Sequence, residues 1–230
     1  MIELSPITIK LCGLSTPETM EAALEAGADM VGLVFHPKSP RFVETAVATR
    51  LADQARGRAL TVALVVDFND MHLDAIASDV RPDWWQMHGS ETRDRMREVK
   101  ARFGLPVMKA IGWRSGEGPE HDDVLGFEHH VDRILLDAKP PKDADYPGGH
   151  GQPFDWTTLG ALAPGDQGSG GVEFMLSGGL HPGNVAEAIQ IVRGLGCSLV
   201  GVDVSSGVES SPGVKDIAKI RDFIAAARAA

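Results

Sequence analysis

The first apolar run of the chain, Ile7-Thr8-Ile9-Lys10-Leu11-Cys12-Gly13, reads as a buried strand that ends in a thiol and is cut short by a glycine. Thr16-Pro17-Glu18 follows at once, with Thr16 as N-cap and Pro17 at the first helical position. Cys12 therefore stands where a strand hands over to a helix. A thiol there can be held as thiolate and act as a base, or it is one more small core residue. Asp137 closes another apolar strand, Arg133-Ile134-Leu135-Leu136-Asp137, as a solvated loop residue or as a general acid/base. Arg41 carries a fork of donors suited to a carboxylate, or is an ordinary exposed arginine. His88 is a wall residue of a site or a satisfied structural histidine, and the role of Lys10 stays open. Two stretches of small residues, Ser177-Gly178-Gly179 and Asp203-Val204-Ser205-Ser206-Gly207, let backbone N–H groups approach an anion, with helix N-termini behind them. Their recurrence in successive units points to phosphate; two tight turns with nothing bound is the alternative. Cys197 reads as packing, and His121, His129 and His130 as solvated surface, so no metal site is expected.

For these residues to meet, eight strand ends have to converge. Strand-length apolar runs end at Cys12, Phe35, Val66, Met87, Ile111, Asp137, Leu176 and Val202, 21 to 39 residues apart. Between them lie helical patterns: Pro17 to Ala26 closed by Gly27, Glu44 to Arg56, a helix ending near Ser78, a charged helix to Arg102, and a weak one over Pro119 to Phe127. Further helices are expected over Pro182 to Val192 and from Gly213 to Arg228. Eight strand–helix units with no stretch left for a second domain fit an α/β fold of the single-domain (β/α)₈ TIM-barrel kind over residues 1–230. A doubly wound sheet is the runner-up, but no GxGxxG follows the first strand. All strand C-termini of a barrel open on one face, which is where active sites are built. The long interval after Asp137, from Ala138 through Gly151, is expected to be an active-site cover, and Pro164 to Gly171 a plain flexible connection.

Composition narrows the partners. A net charge of -10 without a basic run argues against nucleic acid, and 43% hydrophobic residues provide a proper core. Two cysteines give neither a disulfide framework nor a zinc spacing. No apolar stretch approaches membrane-spanning length, and Glu3 and Lys10 leave no room for a signal peptide between them. The expectation is a cytoplasmic protein with no membrane or nucleic-acid partner.

Four segments in matching order and spacing resemble the phosphoribosylanthranilate isomerase family of tryptophan biosynthesis. They are Ile9-Lys10-Leu11-Cys12-Gly13-Leu14, Gly32-Leu33-Val34-Phe35-His36-Pro37-Lys38-Ser39-Pro40-Arg41, Leu135-Leu136-Asp137 with Phe154-Asp155-Trp156, and Leu176-Ser177-Gly178-Gly179-Leu180 with Val202 to Glu209. The resemblance implies a barrel without cofactor, acting on a small anionic phosphosugar as monomer or homodimer. The reaction implied is the Amadori rearrangement of N-(5-phosphoribosyl)anthranilate, third from chorismate to tryptophan. Carried over by motif, Cys12 is the general base and Asp137 the general acid. Arg41 is the holder of the anthranilate carboxylate, His88 and Asp203 are substrate contacts, and Gly178, Gly179, Ser205, Ser206 and Gly207 bind phosphate. The family's Gln-Leu-His-Gly is Gln86-Met87-His88-Gly89 here, and its Gly-Gly-Thr-Gly-Lys-like loop is Gly148-Gly149-His150-Gly151-Gln152. A related histidine-pathway aminoaldose isomerase carries aspartate where this chain has Cys12. A lyase of the indole-glycerol phosphate synthase type needs a catalytic lysine–glutamate set. A non-catalytic phosphosugar binder has no reason to keep Cys12 and Asp137 together.

Overall fold

The strands run parallel, so their C-terminal ends collect on one face of the barrel. The computed structural model describes residues 6–113, 121–138, 154–164 and 172–230. The eight barrel strands are β1 (Thr8–Cys12), β2 (Met30–Val34), β3 (Leu60–Val65), β4 (Trp84–Met87), β5 (Val107–Trp113), β6 (Arg133–Ala138), β7 (Phe174–Leu176) and β8 (Leu199–Val204). They pair in sequence order, all parallel, and β8 returns to β1 with Lys10 in register with Asp203, closing the barrel. Helices α1 (Pro17–Ala26), α2 (Thr45–Ala55), α3 (Asp70–Asp79), α4 (Arg93–Phe103), α5 (His121–Glu128) and α6 (Val185–Gly194) form the jacket.

The helix punctuation follows the sequence. Thr16 Oγ1 accepts from the Thr19 N–H, and Gly27 adopts φ 89° to end α1 by donating to the Ala23 and Leu24 carbonyls. Asn69 and Thr92 cap α3 and α4 in the same way. Along the strands, the two-residue period sorts side chains. On β1, Ile9 and Leu11 face the helical jacket, in the large cluster that contains Leu51, Phe223 and Val202. Inside the barrel, Met30, Val62, Met108, Ala110, Leu135 and Met175 form one cluster, and Cys12, Val34 and Leu64 another.

Two expectations are corrected. The last helix, α7 (Ile217–Arg228), starts four residues later than expected, because Asp216 caps it through the Ala218 and Lys219 N–H groups. The residues before it form a two-stranded antiparallel ribbon, β9 (Glu209–Ser211) and β10 (Val214–Lys215), after a short 3₁₀ turn over Ser206–Val208. The connection from β6 to β7 carries a 3₁₀ helix, Trp156–Leu162, where a barrel unit would place an α-helix. The expected cover over 139–153 and the flexible connection over 165–171 lie outside the described residues. No helix among the described residues is long and apolar enough to cross a membrane.

Candidate active site

The strand C-termini surround a cleft at one end of the barrel. Cys12, Asp137, Arg41, His88, Asp203, Ser177, Gly178, Gly179, Ser205 and Ser206 all line it. Of the expected site residues only Gly207 does not. It faces the Leu180 carbonyl so closely that a Cβ would collide with it, so its role is to let the loop after β8 nest on the loop after β7.

Cys12 points into the cleft from the end of β1 and is 4% exposed. Gly32, its register partner on β2, leaves the space the sulfur fills, since a Cβ there would sit 2.9 Å from Sγ. Burial pushes the thiol above its ordinary value, and the Asp203 carboxylate adds to this; the Lys10 and Lys215 ammonium groups pull the other way without prevailing. Desolvation thus outweighs the nearby positive charges, and the strand-end position alone does not hold Cys12 as a thiolate.

Asp137 is a buried strand-end carboxyl, not a solvated loop residue. Its Oδ1 accepts the Ala138 N–H at 2.9 Å, and its Oδ2 lies 3.6 Å from His88 Nε2. Burial, followed by the negative charge of Asp203, raises it to about 7, and the Ala138 hydrogen bond only partly offsets this. It thus has a proton to donate near neutrality. His88 is pushed down to about 3 by burial and by the positive charge of Lys109 and Lys10, and is a neutral imidazole. Its Nδ1 is buried without a partner among the described residues, so it is not the satisfied structural histidine of the alternative. Glu91 fixes its surroundings by accepting from the Asp67 and Gly89 N–H groups and from Lys109 Nζ, which ties the loops after β3 and β4 to β5.

Arg41 is 4% exposed, which removes its reading as a surface arginine. Its Nε and Nη2 donate to Glu209 at 2.7 and 2.9 Å, a bidentate pair. Glu209 also accepts from Lys215 Nζ and the Gly213 N–H, and the two cations hold its carboxyl low despite burial. Asp203 is likewise engaged: Lys10 Nζ donates to Oδ1 at 2.7 Å and Ser177 Oγ to Oδ2 at 3.0 Å.

At the other end of the cleft, Gly178 and Gly179 adopt φ of 81° and 69°, turning the loop after β7 in a conformation that other residues resist. Ser205 Oγ donates to the Cys12 carbonyl, and Lys215 Nζ donates to the Ser205 carbonyl, which pins the loop after β8 beside β1. Behind that loop stands only the three-residue 3₁₀ turn, so backbone N–H groups, not a helix dipole, are what it offers an anion. Among the described residues no group of histidine, cysteine and carboxylate side chains is placed to hold a metal ion.

Four residues with a clear place here were not singled out as site residues from sequence. Lys10 and Glu209 are the buried partners of Asp203 and Arg41. His36 and Gln86 line the cleft, and His36 Nε2 and Gln86 Oε1 are buried with no partner among the described residues. The signal for Gln86 was its position, a polar side chain inside an otherwise apolar strand.

A buried carboxyl with a raised proton affinity and a thiol share the wall of one mouth of a closed eight-stranded parallel barrel, the architecture of the (β/α)₈-barrel enzymes. The chain belongs to the N-(5'-phosphoribosyl)anthranilate (PRA) isomerase family, whose model matches residues 9–226. An N-(5'-phosphoribosyl)anthranilate isomerase of Nitrobacter winogradskyi is 54% identical over 224 residues, 97% of this chain and 94% of that one. The crystal structure of phosphoribosyl anthranilate isomerase from Thermotoga maritima superposes with a TM-score of 0.82 at 33% identity, covering 97% of this chain and 100% of that one. A second crystal structure of such an isomerase, in complex with reduced 1-(o-carboxyphenylamino)-1-deoxyribulose 5-phosphate, superposes with a TM-score of 0.79 at 31% identity, covering 97% and 100%.

Proposed function

We propose that the chain catalyses the Amadori rearrangement of N-(5-phosphoribosyl)anthranilate to 1-(2-carboxyphenylamino)-1-deoxyribulose 5-phosphate, with Asp137 as general acid and Cys12 as general base. The observation that carries the assignment of roles is the buried Asp137 carboxyl, raised to about 7 in the same cleft as the Cys12 thiol. Asp137 gives its proton to the furanose ring oxygen; the bond from that oxygen to C1 breaks and the nitrogen lone pair forms an iminium. Cys12, after losing its own proton to solvent, takes the proton from C2 as the thiolate; the C–H electron pair becomes the C1–C2 double bond of an enolamine and the iminium nitrogen regains its lone pair. Protonation at C1 and loss of the enol proton complete the ketose. The iminium acidifies the C2–H bond, and its positive charge stabilises the thiolate that takes the proton, so a small thiolate population suffices.

The substrate's ends fit the two ends of the cleft. The N–H groups of the Gly178-Gly179 and Ser205-Ser206 loops take the phosphate, and Val34, Leu64 and Val66 give the aromatic ring an apolar wall. Its carboxylate shares the Arg41 guanidinium with Glu209, while His88 and Asp203 face the sugar hydroxyls. The rearrangement moves protons with no net redox change, so one barrel domain, as monomer or homodimer in the cytoplasm, can perform it without metal or organic cofactor. The test follows the loss of phosphoribosylanthranilate fluorescence. Cys12→Ser and Asp137→Asn are each expected to lower turnover by ~10²–10⁴ while ligand affinity changes little. Full turnover in either variant would reject the role assigned to that residue.

A further inference from the structure

One buried cation of the site has no part in the proton transfers above. Lys10 is 0% exposed, the least exposed charged side chain among the described residues, and its Nζ lies 2.7 Å from Asp203 Oδ1. The β1–β8 register sets it beside Asp203, whose other oxygen is held by Ser177. Two residues further along β1, on the same inward face, comes Cys12. A buried ion pair is a poor source of stability, since apolar residues of similar volume usually serve as well. Its presence directly beneath the thiol calls for another reason.

We propose that Lys10, anchored on Asp203, is a positioning residue that supplies the fixed positive charge against which Cys12 works as a base. The role rests on Cys12 being the base of the rearrangement. A thiolate formed in the wall made by Cys12, Val34 and Leu64 has little water to stabilise it. An ammonium one strand step below, oriented before the substrate arrives, stabilises that charge at no reorganisation cost. The carboxylate of Asp203 keeps the ammonium from folding back, and it also keeps the Lys10 proton in place: burial alone would lower Lys10, but Asp203 and the Cys12 sulfur raise it overall. The other groups bearing on the sulfur are Lys215 from β10 and Asp203 from β8, and Asp137, His88 and Arg41 share the cleft walls. Lys215 already donates to Glu209 and to Ser205, which leaves Lys10 as the cation nearest in sequence and face to Cys12.

The test is the pH dependence of iodoacetamide alkylation of the free protein, read at the Cys12 peptide by mass spectrometry so that Cys197 does not contribute. Lys10→Met is expected to move the Cys12 midpoint upward by about one pH unit or more, and to lower kcat more than it raises KM. Lys10→Arg keeps the charge and is expected to bring the midpoint back toward the original. Should Lys10→Met leave Asp203 too exposed to fold around, Lys10→Met with Asp203→Asn removes both charges, and an upward midpoint is still expected. An unmoved midpoint in the folded single or double variant overturns the proposal, as does a Lys10→Arg protein that titrates like Lys10→Met. The outcome is separable from the assignment of the base. An unmoved midpoint with an inactive Cys12→Ser leaves the base and removes Lys10, and a moved midpoint with a fully active Cys12→Ser does the reverse.

Discussion

At the scale of single residues, the two groups proposed to transfer protons have their affinities in the unexpected order. Asp137, the proposed donor, sits at about 7, while Cys12, the proposed acceptor, is pushed above its ordinary thiol value. The working form has the carboxyl protonated and the thiol ionised, so it is a minor species whose abundance depends on both groups. As pH rises toward 7, thiolate increases tenfold per unit while the carboxyl stays protonated, so kcat/KM climbs. Above 7 the gain in thiolate is cancelled by loss of the Asp137 proton, and the profile flattens; beyond the Cys12 value it falls. A pH profile of kcat/KM is therefore expected to have its lower bend near pH 7, although the group that ionises there is the acid. A lower bend near pH 4 would mean that Asp137 titrates as a surface carboxylate does, and that its burial beside Asp203 is not sustained in solution.

At the scale of elements, the loop after β7 is coupled to the end of β6. Gly178 adopts φ 81°, and a Cβ there would run into the Ala138 backbone nitrogen, the same N–H that Asp137 Oδ1 accepts. Gly178→Ala is expected to disturb both the anion loop and the general acid. KM should rise several-fold and kcat fall about tenfold or more, whereas a loop that only binds would change KM alone. Steady-state kinetics separate the two outcomes. The strands, capped helices and this loop were legible in the sequence because each has a local signature: an apolar run, a Thr or Asn cap, a Ser-Gly-Gly turn. The β9–β10 ribbon and the 3₁₀ helix at Trp156–Leu162 were not, since segments so short take their shape from what they pack against. The same division holds inside the site. Cys12 and Asp137 could be found from their places at strand ends. The pairings of Glu209 and Lys10 could not, because their partners lie 168 and 193 residues away and only barrel closure brings them together.

At the scale of the whole molecule, the two ends of the barrel do different work, and pH should show it. At the lower end, Asp29, Asp83 and Asp132 each precede one strand and accept the N–H of a residue in the strand before it, namely Ile9, Thr61 and Val107. Arg228 of the last helix reaches the Ile7 and Gly27 carbonyls and Asp29, fastening the end of the jacket to the first strand. These contacts satisfy backbone groups and hold the barrel shut. At the upper end, Asp137 and His88 are kept in the charge states that burial favours. Asp137 binds its proton more tightly folded, about 7, than unfolded, ~3.9. Its contribution to stability is present below the unfolded value and is lost as pH rises through 7, about 4 kcal/mol at most. His88, at about 3 folded and ~6.5 unfolded, behaves oppositely: its contribution is present above 6.5 and is lost as pH falls toward 3. Asp137→Asn keeps the acceptor for the Ala138 N–H and removes the charge. Its urea-unfolding stability relative to the parent is expected to improve by about 2–3 kcal/mol between pH 5 and pH 8. His88→Asn should show its relative gain in the other direction, between pH 7 and pH 4. If both variants tracked the parent at a constant offset across pH 4–8, the upper end of the barrel would not be holding these two groups against their ordinary titration, and the donor state of Asp137 would have to arise only once substrate is bound.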